Sequence, residues 1–181
     1  MHHVSKIDHA SAQTPDGYQS HSTGFHRATY VDHAVGSVHM GTGICLLLPS
    51  GTIDPHIHAF EETFYILEGS VVVQIGDAAY LLKPGHFGLI GTGVRHAWRA
   101  VGDQPVRWLE MQSPQPRSPG AGRDTFFVGG DAPSAQASTP DLALTAGLIG
   151  HFDESQLPRP GAPSEMEGFN PTTGVAIKMF V

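Results

Sequence analysis

From Gly36 to Gln112 glycine and proline cut the chain into short apolar or alternating runs, and this cadence restricts the fold more than any other feature. An amphipathic helix needs about ten or more residues with a 3.6-residue apolar period, and no such stretch survives between the breaks. The runs read as strands at 37–40, 43–48, 64–67, Ser70–Ile75, Ala78–Leu82, 87–90, 95–100 and 106–112. Pro49-Ser50-Gly51 ends the second of these, and Lys83-Pro84-Gly85 and Gly91-Thr92-Gly93 supply further breaks. Glu68-Gly69 and Gly76-Asp77 are expected to be hairpin turns, and Gly102-Asp103-Gln104-Pro105 another turn. Strands this short and this evenly broken specify an all-β antiparallel sandwich or barrel. Composition agrees: 22 Gly and 14 Pro accompany only 15% charged residues.

Within that frame lies P-H-I-H-A-F-E-E-T-F-Y-I-L-E-G. His56 and His58 are two apart, so on an extended segment both rings leave one face, about 6–7 Å apart along the strand. Glu62 follows shortly after, and G-T-G-V-R delivers His96 from another strand. Three imidazoles and one carboxylate form a mixed nitrogen and oxygen set that suits one divalent transition metal ion: Mn, Fe, Co, Ni, Cu or Zn. Thiolate ligation is not available to a chain with one cysteine.

Gly51, His56-x-His58, Glu62 and Gly69 resemble the first motif of the cupins, and Gly85, Gly91-x-Gly93 and His96 resemble their second. The resemblance covers residues 37–113. It implies a jelly-roll barrel whose turns gather His56, His58, Glu62 and His96 at one end of the interior. Three positions depart from the pattern: the Gly51–His56 spacing is one residue short, Gly91 stands where proline is usual, and Ala100 replaces asparagine. None of these removes a ligand.

Three regions follow: residues 1–36 as an N-terminal arm with edge strands, 37–113 as the barrel, and 114–181 as a Pro/Gly-rich linker, a short helix over 141–150 and a terminal strand over 174–181. That last strand resembles the entry to a second barrel in two-barrel cupins such as the ureidoglycine aminohydrolases. Alternatively it pairs with a second subunit, since an apolar edge is best covered, and a homodimer is expected. The net charge of −7 argues against a nucleic-acid partner. No run reaches the length of a membrane span, no signal-peptide core is visible, and a cytoplasmic location is expected. Cys45, in I-C-L-L-L, reads as a buried thiol.

Strand parity places Phe64 and Ile66 on the face of Glu62 and Trp98 on that of His96, lining an apolar substrate pocket, with Met40, Ile44, Phe87 and Met111 as weaker candidates. Asp54 and Glu61 read as solvated loop acids, with orientation of the imidazoles as the alternative, and His86 reads as a loop residue, with a proton shuttle as the alternative. Arg95 and Arg99 should point outward. Four protein ligands leave about two positions open on an octahedral ion, which marks a catalytic site. The expected function is a dioxygenase-like oxidoreductase acting on a small chelating organic molecule. An aminohydrolase of the ureidoglycine type and a non-catalytic binding module are the alternatives.

Overall fold

The structure, a computed structural model, describes residues 3–4, 6, 11–117, 123–145, 147–153 and 155. The expected strand over 174–181, and with it the basis for a second barrel or a homodimer, lies outside them. Ten strands run in chain order: β1 (Ser22–Val31), β2 (Gly41–His58), β3 (Glu61–Glu68), β4 (Ser70–Ile75), β5 (Ala78–Leu82), β6 (His86–Ile90), β7 (His96–Val101), β8 (Val106–Ser113), β9 (Thr125–Phe127) and β10 (Ile149–His151). The helical content of the described residues is a single 3-10 turn, His33–Val35, capped by the Asp32 carboxylate. The fold is an all-β, antiparallel jelly roll.

The strands hydrogen-bond in the order β10-β6-β3-β8-β2-β7-β4-β5, with β1 and β9 also on β2. All these pairings are antiparallel. The Gly76-Asp77 turn does join a hairpin, β4 to β5. Glu68-Gly69 does not: β3 pairs with β6 and β8, whereas β4 pairs with β5 and β7. The chain there crosses from one sheet face to the other. Gly69 makes the crossing possible, because its φ is +78° and a Cβ would lie 2.5 Å from the Pro105 carbonyl oxygen.

β2 also departs from expectation. Pro49-Ser50-Gly51 does not end the strand but bends it. Ser50 takes φ +62°, and β1 bridges the bend by pairing Phe25 with Leu47 and Thr23 with Thr52. The first half of β2 lies against β8 and the second half against β7. Residues 37–40 form no strand, and the strand signal begins at Gly41. The helix expected over 141–150 is likewise absent. Asp141 closes one turn through its carbonyl to the Leu144 and Thr145 amides, Gly147 turns with φ +84°, and the chain enters β10.

The barrel interior is an aromatic and aliphatic core. Trp98 stacks on Trp108 at 4.7 Å and 7°, Phe25 stacks on the other face of this pair at 5.9 Å, and Phe64 meets Trp98 edge-on at 5.2 Å. Each fully buried large apolar side chain contributes about 1.5–3 kcal/mol, and the ring pairs about 0.5–1.5 kcal/mol more. This packing holds β2, β3, β7 and β8, the strands that carry the polar groups of the next section.

Candidate metal centre

β2 delivers His56 and His58, β7 begins at His96, and Glu62 stands on β3. His56 and His96 are direct cross-strand partners, with ring centroids 4.0 Å apart. One ring nitrogen from each of His56, His58 and His96 lies within 4.8 Å of the others. Glu62 joins them, its Oε2 3.0 Å from His58 Nε2 and 3.6 Å from His96 Nε2. All four side chains are sealed, with exposures of 0–3%.

Main-chain geometry fixes the ring orientations. His56 donates its Nδ1–H to the Asp54 carbonyl at 2.7 Å, and His96 donates its own to the Val94 carbonyl at 2.9 Å. A carbonyl can only accept, so both rings are protonated at Nδ1 and turn a bare Nε2 inward. His58 Nδ1 lies 3.0 Å from Thr125 Oγ1, on the strand paired beside it. These contacts hold each ring as a ligating imidazole is held. It is the main chain of Asp54, not its carboxylate, that orients His56. The carboxylate sits 3.7 Å from His21, and Glu61 is exposed.

The electrostatics call for a cation. His96 Nε2 is fully buried and has no hydrogen-bond partner. Burial, then the His96 and His58 neighbours, push the His56 imidazole well below its ordinary value, so it stays neutral. Burial alone would raise Glu62, but the His58 contact at 3.0 Å and the neighbouring His96 imidazole outweigh it and hold the carboxyl well below its ordinary range. The bare Nε2 atoms of His56 and His96 converge beside the Glu62 carboxylate and His58, and a divalent ion fits that donor set.

Aromatic rings close the site against water. Phe60 stacks on His58 at 4.3 Å, while Tyr18 and Phe127 pack on His56 at 5.7 and 5.3 Å. A cavity of about 290 Å³ abuts it, lined by residues including Tyr18, Phe60, Gln112 and Thr125. Gln112 is the cross-strand partner of Glu62, and Thr125 that of His58.

The expected pocket residues lie elsewhere. Phe64 and Trp98 are core residues, 3% and 1% exposed, and border no part of this cavity. Met111 faces out, 38% exposed, because on β8 it is Val106, Trp108 and Glu110 that turn inward. Met40 is exposed, Ile44 is core, and Phe87 lies on β6. His86 is buried away from the three histidines, bonded to the Lys83 main chain and 4.7 Å from the His151 ring. Arg99 reaches out to the Pro133 carbonyl.

Sequence reading missed a second buried polar group, Arg27 on β1 with Glu110 on β8. Arg27 Nε donates to Glu110 Oε2, as does Gln112 Nε2 at 3.1 Å. Burial would lower the Arg27 guanidinium, yet the Glu110 charge keeps it raised and protonated. Burial pushes the Glu110 carboxyl up, and Arg27 opposes that shift. The available signal was parity: Glu110 is in step with Trp108, so a buried face for one implies the same for the other.

No helix among the described residues is long and apolar enough to cross a membrane. Residues 43–112 match the family model for the cupin domain. The polyketide synthase CurC of Streptomyces cyaneus is 29% identical over 89 residues, 49% of this chain and 58% of its own length. The match therefore spans little more than half of that relative. Protein SchB of Streptomyces halstedii is 29% identical over 114 residues, 62% of this chain and 83% of its own. Among solved structures, the polyketide cyclase RemF of Streptomyces resistomycificus aligns with a TM-score of 0.55 at 19% identity, covering 62% of this chain and 81% of its own. The jelly roll and the family match agree that residues 43–112 form a cupin domain.

Proposed function

We propose that this chain is a metal-dependent enzyme, with His56, His58, His96 and Glu62 as ligands, acting on a small chelating molecule of the oxygenated polyketide type. The observation that carries the reading is the convergence of bare, buried acceptors, above all the partnerless His96 Nε2. A bound divalent ion would supply Lewis acidity toward a carbonyl, enol or phenol oxygen. The chain's own residues do the rest. Asp54, Val94 and Thr125 hold the imidazoles in one orientation, and Phe60, Tyr18 and Phe127 exclude water, which strengthens charge interactions inside the site.

The substrate class draws support from the names of CurC, of RemF and of their polyketide chemistry. For such a substrate the reaction is ring closure of a polycarbonyl chain: a carbon–carbon bond forms between an enolised carbon and a carbonyl carbon, and water leaves. A dioxygenase-like oxidation is the second reading, favoured by a donor set that also suits redox-active ions. Protein purified without a histidine tag should contain near one equivalent of a divalent metal by elemental analysis. Mass spectrometry of a poly-β-ketone substrate then separates the readings: loss of water supports cyclisation, and gain of both atoms of O2 with oxygen uptake supports the second. A protein that neither retains nor takes up metal overturns both.

A further inference from the structure

The cavity beside the histidines is asymmetric. Aromatic rings of Tyr18, Phe25 and Phe60 line it together with a polar group of Arg27, Glu110 and Gln112. Much of that wall comes from outside the cupin-matched segment, since Tyr18, Phe25 and Arg27 all precede residue 43. The Arg27–Glu110 pair has side-chain exposures of only 12% and 8%. A buried ion pair is commonly no more stabilising than apolar residues of the same volume, so stability gives no reason for one in this core.

Local packing nonetheless accommodates it. Gly43 lies beneath the guanidinium, where a Cβ would come within 3.0 Å of Arg27 Cζ and 2.7 Å of the Ala28 carbonyl oxygen. The fork is then held in place, with Nε on Glu110 and Nη1 on Thr29 Oγ1. Both bonds that Glu110 accepts fall on Oε2, from Arg27 and from Gln112. Oε1 is left as an acceptor in a carboxylate that borders the cavity. Arg27 fixes this carboxylate's plane and opposes the upward push that burial exerts on it.

We propose that this cavity is a recognition site for a hydroxylated planar ring, with the ring between Tyr18, Phe25 and Phe60 and a ring hydroxyl donating to Glu110 Oε1. The volume, about 290 Å³, admits one or two fused rings. The proposal deepens the functional reading above, because it names what part of the substrate is read next to the metal ligands. The recognition itself requires no ion.

The test is calorimetric titration of metal-free protein with 1,3-dihydroxynaphthalene and with 1,3-dimethylnaphthalene, which has the same shape without the hydroxyls. A hydrogen bond to a buried charge predicts that the diol binds at least about tenfold more tightly. Glu110→Gln should bring the diol down to the affinity of the dimethyl compound and leave the latter unchanged. Equal affinity of the two probes for the wild type overturns the proposal, as does full diol affinity in E110Q. Should E110Q fail to fold by circular dichroism, the wild-type comparison alone decides. Metal uptake is measured separately: a chain that binds the diol but no metal loses the catalytic reading and keeps the recognition site, and the reverse outcome does the opposite.

Discussion

Two buried polar groups sit close together at this end of the barrel, and they solve the same problem in opposite ways. The Arg27–Glu110 pair brings its own cation, a guanidinium bonded to the carboxylate. The histidine group does not. His56 and His96 are committed at Nδ1 to main-chain carbonyls and turn bare Nε2 atoms inward, and the group's one carboxylate lies 3.0 Å from His58 Nε2 and 3.6 Å from His96 Nε2. The first group carries its own counter-charge, although Arg27 Nη2 is buried without a hydrogen-bond partner, and the second, on the reading proposed above, would take its counter-charge from an ion. Burial of polar atoms alone therefore does not mark a ligand site; what marks it is a surplus of acceptors over donors.

The comparison can be broken most sharply at the ligands. His58→Ala or His96→Ala should abolish stoichiometric metal uptake while the barrel's circular dichroism persists; full metal occupancy in either variant would falsify the ligand assignment. Arg27→Met attacks the other group. It leaves Glu110 buried without its counter-charge and should destabilise the protein by roughly 3–5 kcal/mol in chemical denaturation. Glu110→Gln leaves the Arg27 guanidinium, which cannot shed its proton, buried without a counter-charge, and should cost a similar amount.

Smaller effects sharpen the distinction. Thr125→Val removes the hydroxyl hydrogen-bonded to His58 Nδ1 and should weaken metal affinity by about 10–100-fold, read by competition with a chromogenic chelator, with little change in metal-free stability. Acid should act on the metal-free protein in a defined direction. His56 and Glu62 are both held low, so the unfolded chain binds protons that the folded chain refuses. Stability should be present above the ordinary imidazole value of 6.5, fall as pH drops below it, and fall again below the ordinary carboxylate value of 4.5. Glu110, pushed up, works in the opposite sense and softens the second step. Thermal melts across this range test the sign: a midpoint that rises on acidification contradicts it. The surface pair of Arg107 and Glu68 sets the lower bound, and removing it should cost at most about 1 kcal/mol.

Much of this architecture was legible in the residues. The bounds of Ser70–Ile75 and Ala78–Leu82 follow directly from the flanking Gly69, Gly76 and Lys83-Pro84-Gly85 breaks. The grouping of His56, His58, Glu62 and His96 followed from period-two spacing and from the paired motifs. What failed was long-range. Nothing local distinguishes a glycine in a hairpin turn from one, like Gly69, that carries the chain between faces past Pro105. Met111 was assigned one residue out of step with the inward face of β8, and that slip exchanged the exposed Met111 for the buried Glu110. The Arg27–Glu110 pair spans 83 residues, and no local pattern announces such a partnership. At 141–150 apolar spacing suggested a helix, but the Asp141 turn and Gly147 divert the chain into an added strand.

β2 runs for 18 residues, from Gly41 on the β8 side to the two ligand-bearing positions at its far end. Because it is continuous through the Ser50 bend, its alignment at one end constrains its alignment at the other. A shift by a single residue would turn both imidazoles to the wrong face. Closing the barrel and bringing these donors together are thus coupled, and on the proposed reading a bound ion would favour the strand alignment that presents nitrogen inward.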